Sequence, residues 1–380
     1  MMLDESAHLQ VLVVFGTRPE AIKMAPVISA LRARPDDFRI RVCVTAQHRE
    51  MLDQVLDLYG IVPDIDLDVM LPGQSLSALS ARVLSGLDQV LAEDRPDWVL
   101  VQGDTTTVAM AALAAQHRQV KVGHVEAGLR TGDRSNPFPE EMNRVVADHL
   151  SDLCFAPTET ARDNLLREGI AEDAIRITGN TAIDALQAIA EAPWSPGPDN
   201  CLSGLPADRR WLLVTAHRRE NHGQPLASIC EALFHISQER GHQVHIVYPV
   251  HLNPLVWNPV HSRLGGIPGI SLLPPVDYRE MVYLMRHSTL VLTDSGGLQE
   301  EAPSLDKPVL VLRETTERPE AVEAGASRIV GTDADRIVHE TYRLLDDPEV
   351  YTRMACARNP YGDGHAAERI ADALAEVRRM

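Results

Sequence analysis

The chain has 380 residues, a length that favours two domains over one, and 44% of the residues are apolar, enough for cores of normal size. Its 54 Asp and Glu residues outnumber 36 Lys and Arg residues, which gives a formal net charge of −18 at pH 7. This balance argues against nucleic acid or an anionic membrane as a general partner. A phosphate-bearing ligand would have to be held by a few local cations and backbone amides.

The five cysteines are scattered along the chain without a C-x-x-C pair. This pattern is typical of reduced and mostly buried thiols in a cytosolic protein. The first residues are acidic and lack a signal-peptide pattern, and no apolar run reaches transmembrane length. We therefore expect a cytoplasmic protein.

Short apolar runs alternate with amphipathic segments, a pattern that predicts parallel sheets covered by helices on both faces. In the first half the predicted strands are 10–15, 40–45, 98–102, 121–125, 152–156 and 174–178. Helices are predicted between them, for example over 21–34, 51–59, 75–93 and 107–116. The second half repeats the scheme, with strands at 211–215, 243–248, 270–273, 289–293, 309–312 and 328–330.

Residues 191–206 contain four prolines and two glycines, which predict a connector. We place an N-terminal domain over 1–190, a linker over 191–210 and a C-terminal domain over 211–364. The predicted fold class is α/β, with two Rossmann-like, doubly wound domains that face one another across a cleft. Ligands of such folds bind outside the carboxyl ends of the strands, so the loops at those ends are the candidate site.

Charged residues follow the strand ends of the N-terminal half. The first strand leads into Gly16-Thr-Arg-Pro-Glu, where Arg18 is a candidate phosphate contact. Lys23 offers a second cation, for which a solvated surface position is the alternative. Asp104 follows the strand 98–102, and it either caps the next helix or leaves that role to a neighbouring threonine, which frees its carboxylate.

Glu126 comes directly after the apolar strand 121–125, where a carboxylate is costly unless it is paired or functional. Arg130 could pair with it, which is the structural alternative. Glu140 and Glu141 fall in the first turn of a predicted helix, where the helix dipole favours anions. One of these two glutamates is expected to be only a helix-start residue.

In the C-terminal half, His217 follows a strand and is succeeded by two arginines. Nearby cations depress the pKa of an imidazole, which suits a neutral hydrogen-bonding or acid–base role. Another strand runs into Asp294-Ser-Gly-Gly, where Ser295, Gly296 and Gly297 predict either an anion site or a tight turn with Ser295 as its N-cap. Arg318 is a further candidate phosphate ligand.

Several common site patterns are missing from the sequence. There is no G-x-G-x-x-G fingerprint and no Walker A sequence, which weakens NAD and ATP as ligands. The turn at Asp294 is not a G-x-S-x-G nucleophile elbow. The histidines, cysteines and carboxylates lack the spacing of a metal site, so we expect no metal and no cofactor.

Seven segments resemble one family, the non-hydrolysing UDP-N-acetylglucosamine 2-epimerases. They are residues 16–26, 103–107, 124–133, 137–144, 217–221, 294–303 and 315–321, in that order. The resemblance covers nearly the whole chain. It implies a glycosyltransferase-B-like pair of Rossmann-type domains, usually as a homodimer, with a last helix at 365–380 that packs back on the first domain.

The resemblance also implies the reaction. Members of this family invert C2 of UDP-GlcNAc to give UDP-ManNAc, by anti elimination of UDP to a 2-acetamidoglucal and re-addition of UDP. The product supplies ManNAc for cell-surface polysaccharide. No cofactor, nucleic acid or membrane is involved, and the partner is the small-molecule substrate UDP-GlcNAc.

The family's site residues carry over by motif. Arg18, Ser295, Gly296, Gly297 and Arg318 would hold the diphosphate, and Glu301 would bind the ribose hydroxyls. Asp104, Glu126, Glu140 and His217 would form the catalytic group, with Lys23 nearby.

Many bacterial members bind a second, activating UDP-GlcNAc. For such a site Gln47, Arg218 and His251 match the family, whereas Glu50 and Gly73 stand where some members carry Gln and Arg. This departure puts activation of this chain in question.

Four alternatives to this function are considered. The same fold could act on a modified sugar such as UDP-2,3-diacetamido-glucuronate, or it could belong to a hydrolysing relative that releases free ManNAc. A retaining glycosyltransferase has a similar architecture but needs fewer bases. A non-catalytic UDP-sugar-binding regulator would not need the carboxylates Asp104, Glu126 and Glu140.

Overall fold

The structure, a computed structural model, describes residues 8–46, 49–71 and 73–379. Gln47 lies outside the described residues. Chain contacts divide the molecule into two compact units. The N-terminal unit comprises the described residues up to Ala185 together with those from Tyr361 onward, and the C-terminal unit comprises Leu186–Pro360.

The N-terminal unit is built on a parallel sheet. Its strands, as far as the structure describes them, are β1 (Leu9–Phe15), β2 (Phe38–Val44), β3 (Ile65–Asp66), β4 (Trp98–Gln102), β5 (Lys121–Val125), β6 (Leu153–Ala156) and β7 (Ile175–Ile177). They are hydrogen-bonded in the order β3-β2-β1-β4-β5-β6-β7. The order reverses between β1 and β4, which is the switch point of a doubly wound sheet.

The C-terminal unit repeats this plan. Its described strands are β8 (Arg210–Thr215), β9 (Val244–Pro249), β10 (Ile270–Leu273), β11 (Ser288–Thr293), β12 (Val309–Val311) and β13 (Ser327–Ile329). They are paired in parallel in the order β10-β9-β8-β11-β12-β13, with the switch point between β8 and β11. The predicted fold class of two Rossmann-like, doubly wound α/β units is therefore confirmed.

Helices connect and cover the strands in both units. In the described part of the chain they are α1 (Arg18–Arg32), α2 (Arg49–Tyr59), α3 (Leu76–Asp94), α4 (Thr106–His117), α5 (Glu140–His149), α6 (Glu159–Arg167), α7 (Thr181–Glu191), α8 (Gln224–Arg240), α9 (Pro254–Leu264), α10 (Tyr278–His287), α11 (Gly296–Glu301), α12 (Pro319–Glu323), α13 (Ala334–Asp346), α14 (Pro348–Ala355) and α15 (Ala366–Arg379). Within the described ranges, none of these helices is long and apolar enough to cross a membrane.

The central strands are apolar because both faces of each sheet are covered. In β4 and β6 every residue is buried, and in β1 the five residues from Val11 to Phe15 are buried as well. The twelve predicted strands are all present, with ends that differ by one or two residues. Strand β3 was not predicted, because a two-residue edge strand is too short to show an alternating pattern.

The last helix, α15, is held within the N-terminal unit. The Asp184 carboxylate accepts a hydrogen bond from the backbone N–H of Ala367 (2.8 Å), in the first turn of α15. Further along the helix, Asp372 pairs with Arg34 of the segment that follows α1 (2.7 Å). Residues 191–210, placed in the linker by sequence, belong to the C-terminal unit.

None of the five cysteines forms a disulfide, and Cys43, Cys154 and Cys230 are buried. Burial raises the pKa of Cys43 to about 12 and that of Cys230 to about 11, so both thiols are protonated at neutral pH. Cys201 and Cys356 are exposed.

Candidate active site

Glu126 is the first residue after β5, and it is buried at 9% exposure. Its backbone is in the left-handed region, with φ of +66°, a conformation that is strained for a residue other than glycine. Three donors surround its carboxylate: Lys23 Nζ at 2.5 Å from Oε1, Asn180 Nδ2 at 3.1 Å from Oε1, and Gln102 Nε2 at Oε2. All three groups donate hydrogen bonds to the carboxylate.

The alternative partner for Glu126 was Arg130, and this alternative is wrong. Arg130 instead pairs with the buried Asp148 (2.7 Å) and with Glu168 (2.6 Å). The chain turns sharply after Glu126: Gly128 has φ of +86°, and a Cβ at that position would lie 2.3 Å from the carbonyl oxygen of Ala161. This turn directs Arg130 away from the strand end.

Asp104 lies in the turn after β4, and its side chain is 34% exposed. It does not cap α4, because the cap is Thr105, whose Oγ1 accepts from the N–H of Val108 at 3.4 Å. Its carboxylate pairs with Arg144, and its carbonyl accepts from Asn143 Nδ2 at 2.9 Å. Asn143 and Arg144, two successive residues of α5, therefore hold the turn that contains Asp104.

The two glutamates at the start of α5 have different surroundings. Glu141 is buried, and its carboxylate accepts from the backbone N–H groups of Thr131 (3.1 Å) and Gly132 (2.9 Å). It is therefore the member of the pair with a structural role. Glu140 is half-buried, and its carboxylate has no hydrogen bond or ion pair with any residue of the described ranges. A carboxylate without a protein partner is available to a ligand.

The structural role of Glu20 in the turn between β1 and α1 was not predicted from the sequence. Its buried carboxylate accepts from the N–H groups of Gly16 (2.8 Å) and Thr17 (2.7 Å) and from the hydroxyl of Thr105 (2.5 Å). Burial raises the pKa of Glu20, against the opposing effect of these hydrogen bonds. The spacing T-x-x-E, a capping box, was the signal that could have identified it.

Arg18, the first residue of α1, is half-buried and free of ion pairs among the described residues.

His124 was also missed. It is completely buried in β5, with Nδ1 at 2.6 Å from Asp148 Oδ1 and Nε2 at 2.7 Å from the carbonyl oxygen of Gly103. Burial lowers the pKa of His124, but Asp148 and the Gly103 carbonyl outweigh burial and hold it above its ordinary value. Burial raises the pKa of Asp148, but His124 and Arg130 hold it below its ordinary value.

Both partners of His124 are acceptors, so both ring nitrogens must donate and the ring is an imidazolium. It fixes the peptide of Gly103, whose φ of +83° turns the chain into Asp104. The pair of His124 and Asp148 thus connects the loops that carry Asp104 and Glu126. No signal in the spacing of these residues could have shown this contact.

In the C-terminal unit, His217 follows β8 and Asp294 follows β11, the two strands at the switch point. The Asp294 carboxylate is completely buried, and the His217 side chain is 39% exposed. Burial lowers the pKa of His217; the Asp294 carboxylate opposes this, whereas His251, Arg218 and His222 lower the pKa further. The imidazole is therefore neutral at pH 7.

Two arginines lie beside the turn that follows β11. A Cβ built on Gly296 would lie 3.6 Å from Nη2 of Arg218 and 3.8 Å from Nη2 of Arg318. The buried Glu300 accepts from Nε of Arg318 and thereby orients its guanidinium group. Two guanidinium groups beside a glycine at the start of a helix are suited to bind a phosphate.

Ser295 occupies the N-cap position of α11, but its hydroxyl makes no capping hydrogen bond. Its N–H donates to Thr293 Oγ1 at 2.9 Å. Gly297 is exposed. Nearby in the sequence, Glu301 accepts a hydrogen bond at Oε1 from the hydroxyl of Tyr278 (3.4 Å). The hydroxyl of Ser295 and the backbone of Gly297 are thus open to a ligand.

The candidates for a second site divide as follows. Gln47 lies outside the described residues, and Arg218 lies beside Gly296 as given above. His251 stacks on His217, with ring centroids 5.4 Å apart and an interplanar angle of 15°. In the described ranges, no group of three or more His, Cys, Asp or Glu side chains is arranged to hold a metal ion.

Comparison with known proteins gives a consistent family. The family model for UDP-N-acetylglucosamine 2-epimerase matches residues 29–375. The UDP-N-acetylglucosamine 2-epimerase of Escherichia coli K12 is 55% identical over 374 residues, which cover 96% of this chain and 98% of that protein.

Two solved structures have the same architecture. The crystal structure of a putative UDP-N-acetylglucosamine 2-epimerase from Listeria monocytogenes is 47% identical, with a TM-score of 0.92 and 98% of each chain covered. The Neisseria meningitidis UDP-GlcNAc 2-epimerase bound to UDP-GlcNAc is 45% identical, with a TM-score of 0.85, 97% of this chain covered and 100% of that chain.

The buried pair of His124 and Asp148 predicts a pH-dependent stability. Asp148→Asn should lower the free energy of unfolding by about 3 kcal/mol, since it leaves the buried His124 charge without its anionic partner and removes one of the two carboxylate partners of Arg130. The effect should be full between about pH 4 and about pH 6.5, the ordinary values for Asp and His. It should shrink as pH rises through the raised pKa of His124 or falls through the lowered pKa of Asp148.

Urea unfolding followed by circular dichroism measures this difference. Asp88→Asn is the matched control, because Asp88 pairs with Arg118 on the surface (2.5 Å) and exposed pairs contribute little. Equal unfolding midpoints for the two variants at pH 5.5 would contradict the assignment.

Proposed function

This chain belongs to the UDP-N-acetylglucosamine 2-epimerase family, and we propose that it converts UDP-GlcNAc reversibly to UDP-ManNAc without hydrolysis. The observation that carries the proposal is the Glu126 carboxylate, which is buried in a strained backbone conformation and surrounded by Lys23, Gln102 and Asn180. Strain and a buried charge at a strand end are typical of functional sites rather than of packing.

The proposed reaction has two halves. A base removes the C2 proton, the electron pair of that C–H bond forms the C1=C2 double bond, and the bond between C1 and the UDP oxygen breaks. In the second half, the UDP oxygen adds to C1 and a proton is delivered to C2 on the face opposite to the one from which the first proton was removed. No net oxidation occurs, so no redox cofactor is required.

We assign the proton transfers to three carboxylates of the N-terminal unit, which we call the acidic set: Asp104, Glu126 and Glu140. Glu126 and Asp104 are each fixed by a cation, Lys23 and Arg144, whereas Glu140 is without a protein partner in the described ranges. Removal and return of a proton on opposite faces of one carbon requires at least two acid–base groups. Three carboxylates meet that requirement. His217 of the C-terminal unit completes the proposed catalytic group.

We assign the departing UDP to the C-terminal unit. Arg318 and Arg218 flank the backbone of Gly296, and Ser295 and Gly297 offer an unused hydroxyl and an exposed backbone. Glu301 would accept hydrogen bonds from the two ribose hydroxyls, as the resemblance implies. Arg18 of the N-terminal unit has no ion pair in the described ranges and is proposed as a further diphosphate contact. The assembly is proposed to be a homodimer.

The product identity tests the function directly. In D₂O, the enzyme should convert UDP-GlcNAc to an equilibrium mixture that contains UDP-ManNAc, with deuterium at C2 of the sugar. Proton and phosphorus NMR would measure the label and the diphosphate together. Accumulation of free ManNAc with UDP would establish a hydrolysing enzyme instead, and unlabelled UDP-ManNAc would rule out proton abstraction from C2.

Substitution of the acidic set tests the assignment of the bases. Asp104→Asn and Glu126→Gln should each lower kcat by about 10²–10⁴-fold, the range for loss of a general acid–base group. Glu172→Gln serves as the control, because Glu172 is an exposed carboxylate of the same unit outside the acidic set. Near-normal kcat in both site variants, with circular dichroism unchanged, would refute the assignment.

The rate dependence on substrate tests the second site. Relative to members that carry Gln and Arg, the residues Glu50 and Gly73 add an anion and remove a cation, which disfavours a second anionic nucleotide sugar. We therefore expect a hyperbolic plot of initial rate against UDP-GlcNAc concentration. A sigmoidal plot would show that a second molecule activates the enzyme despite these two differences.

A further inference from the structure

Asp294 uses one carboxylate oxygen to fix the loop that follows β8. Its Oδ2 accepts from the backbone N–H groups of His217 (2.8 Å) and Arg218 (2.8 Å) and from Asn221 Nδ2 (2.9 Å). Asn221 also donates to the carbonyl of Leu312 at 3.0 Å, which ties the loop to the residue that follows β12. This oxygen is fully satisfied, and the position of the His217 backbone is set by it.

The other oxygen, Oδ1, has no hydrogen-bond partner among the described residues although it is buried. A buried carboxylate oxygen without a donor is unfavourable by roughly 1–3 kcal/mol or more, so its presence needs an explanation. The His217 imidazole is close to it, with Nδ1 3.7 Å from Oδ1. A small rotation of this half-exposed ring would bring Nδ1 to hydrogen-bond distance.

The surroundings of the ring favour one orientation. His251 stacks on its face, and the Asp294 carboxylate lies at its Nδ1 edge. The other charged or titratable groups that influence it are Arg218 and His222 from the same loop. All of these groups except Asp294 are cationic or neutral, so Asp294 is the anionic acceptor that the ring faces.

We propose that Asp294 is a positioning residue that keeps the proton of the neutral His217 ring on Nδ1 and leaves Nε2, on the opposite edge, as the acceptor. When Nε2 takes a proton, the ring becomes an imidazolium whose Nδ1–H donates to the Asp294 carboxylate. The proton stays on the histidine and the carboxylate stays ionised, as in other carboxylate–histidine pairs. The tautomer is a property of the folded protein, whereas its effect on turnover rests on the proposed function.

Asp294→Asn tests this role with little change in shape. The amide oxygen should replace Oδ2, because it must accept from the same three N–H donors. The amide NH₂ then replaces Oδ1 and donates to Nδ1, which moves the ring proton to Nε2. We expect the Nδ1–H tautomer in the wild type and the Nε2–H tautomer in the variant, with kcat lowered on the order of 10²-fold and KM little changed.

Nitrogen-15 NMR of histidine-labelled protein distinguishes the two tautomers, and a His217→Gln variant assigns the signal. Asn221→Ala is the matched control, because it removes a donor to Oδ2 and loosens the same loop without altering Oδ1. This control should retain the Nδ1–H tautomer, and a switched tautomer in it would overturn the proposal. The wild-type spectrum decides the first point even if the Asp294 variant does not fold.

The outcomes separate this inference from the proposed function. An Nε2–H tautomer in the wild type, or an unchanged tautomer in Asp294→Asn, overturns the role of Asp294 whatever reaction the enzyme catalyses. A switched tautomer with unchanged kcat overturns the link to turnover. A wild-type protein with no epimerase activity refutes the proposed function, and the NMR result still decides the tautomer.

Discussion

A buried carboxylate is unfavourable unless donors surround it, and both units bury carboxylates where the strands of a parallel sheet end. Glu126 and Asp294 directly follow the ends of β5 and β11, and Glu20 and Glu300 lie in the helices α1 and α11 that come after β1 and β11. Each accepts hydrogen bonds from local donors, which are backbone N–H groups, side-chain amides, one lysine or one arginine, whereas Oδ1 of Asp294 has no donor among the described residues. The loops of the candidate site are held in place by these interactions, since the loops contribute few apolar side chains of their own.

Buried carboxylates also position local cations, which an acidic chain needs in order to bind an anionic ligand. The net charge of −18 produces an unfavourable average field for a nucleotide diphosphate. Local cations oppose this field: Arg218 and Arg318 converge on one glycine backbone, and Glu300 orients Arg318 without removing its charge. At short range two guanidinium groups outweigh more distant carboxylates, because screening weakens the long-range field.

Much of the fold could be predicted because apolar strands and amphipathic helices have distinct periods. The strand ends then indicated the candidate loops for the chemistry, and the structure places Asp104, Glu126 and His217 just after strands β4, β5 and β8. The partners of these residues could not be predicted in the same way. Glu126 is paired with Lys23, which is 103 residues away in the sequence, and not with the nearby Arg130. Nearness along the chain was a poor guide, because the turn at Gly128 directs Arg130 to Asp148.

Glu140 and Glu141 show a second limit. Both are in the first turn of α5, and a sequence pattern cannot tell them apart, because the helix dipole acts on them alike. Their roles diverge only because residues 131 and 132 present two backbone N–H groups to Glu141. The conformation of that loop depends on tertiary structure and not on local propensity.

Glu126 and His217 have contrasting electrostatic environments. Three donors surround the Glu126 carboxylate, whereas His217 is kept neutral by burial and by neighbouring cations. Two groups whose environments push their charges in opposite directions can hold different protonation states at one pH. For His217 the remaining choice is which nitrogen bears the proton. A carboxylate 77 residues away governs that choice, because β8 and β11 are neighbours in the sheet.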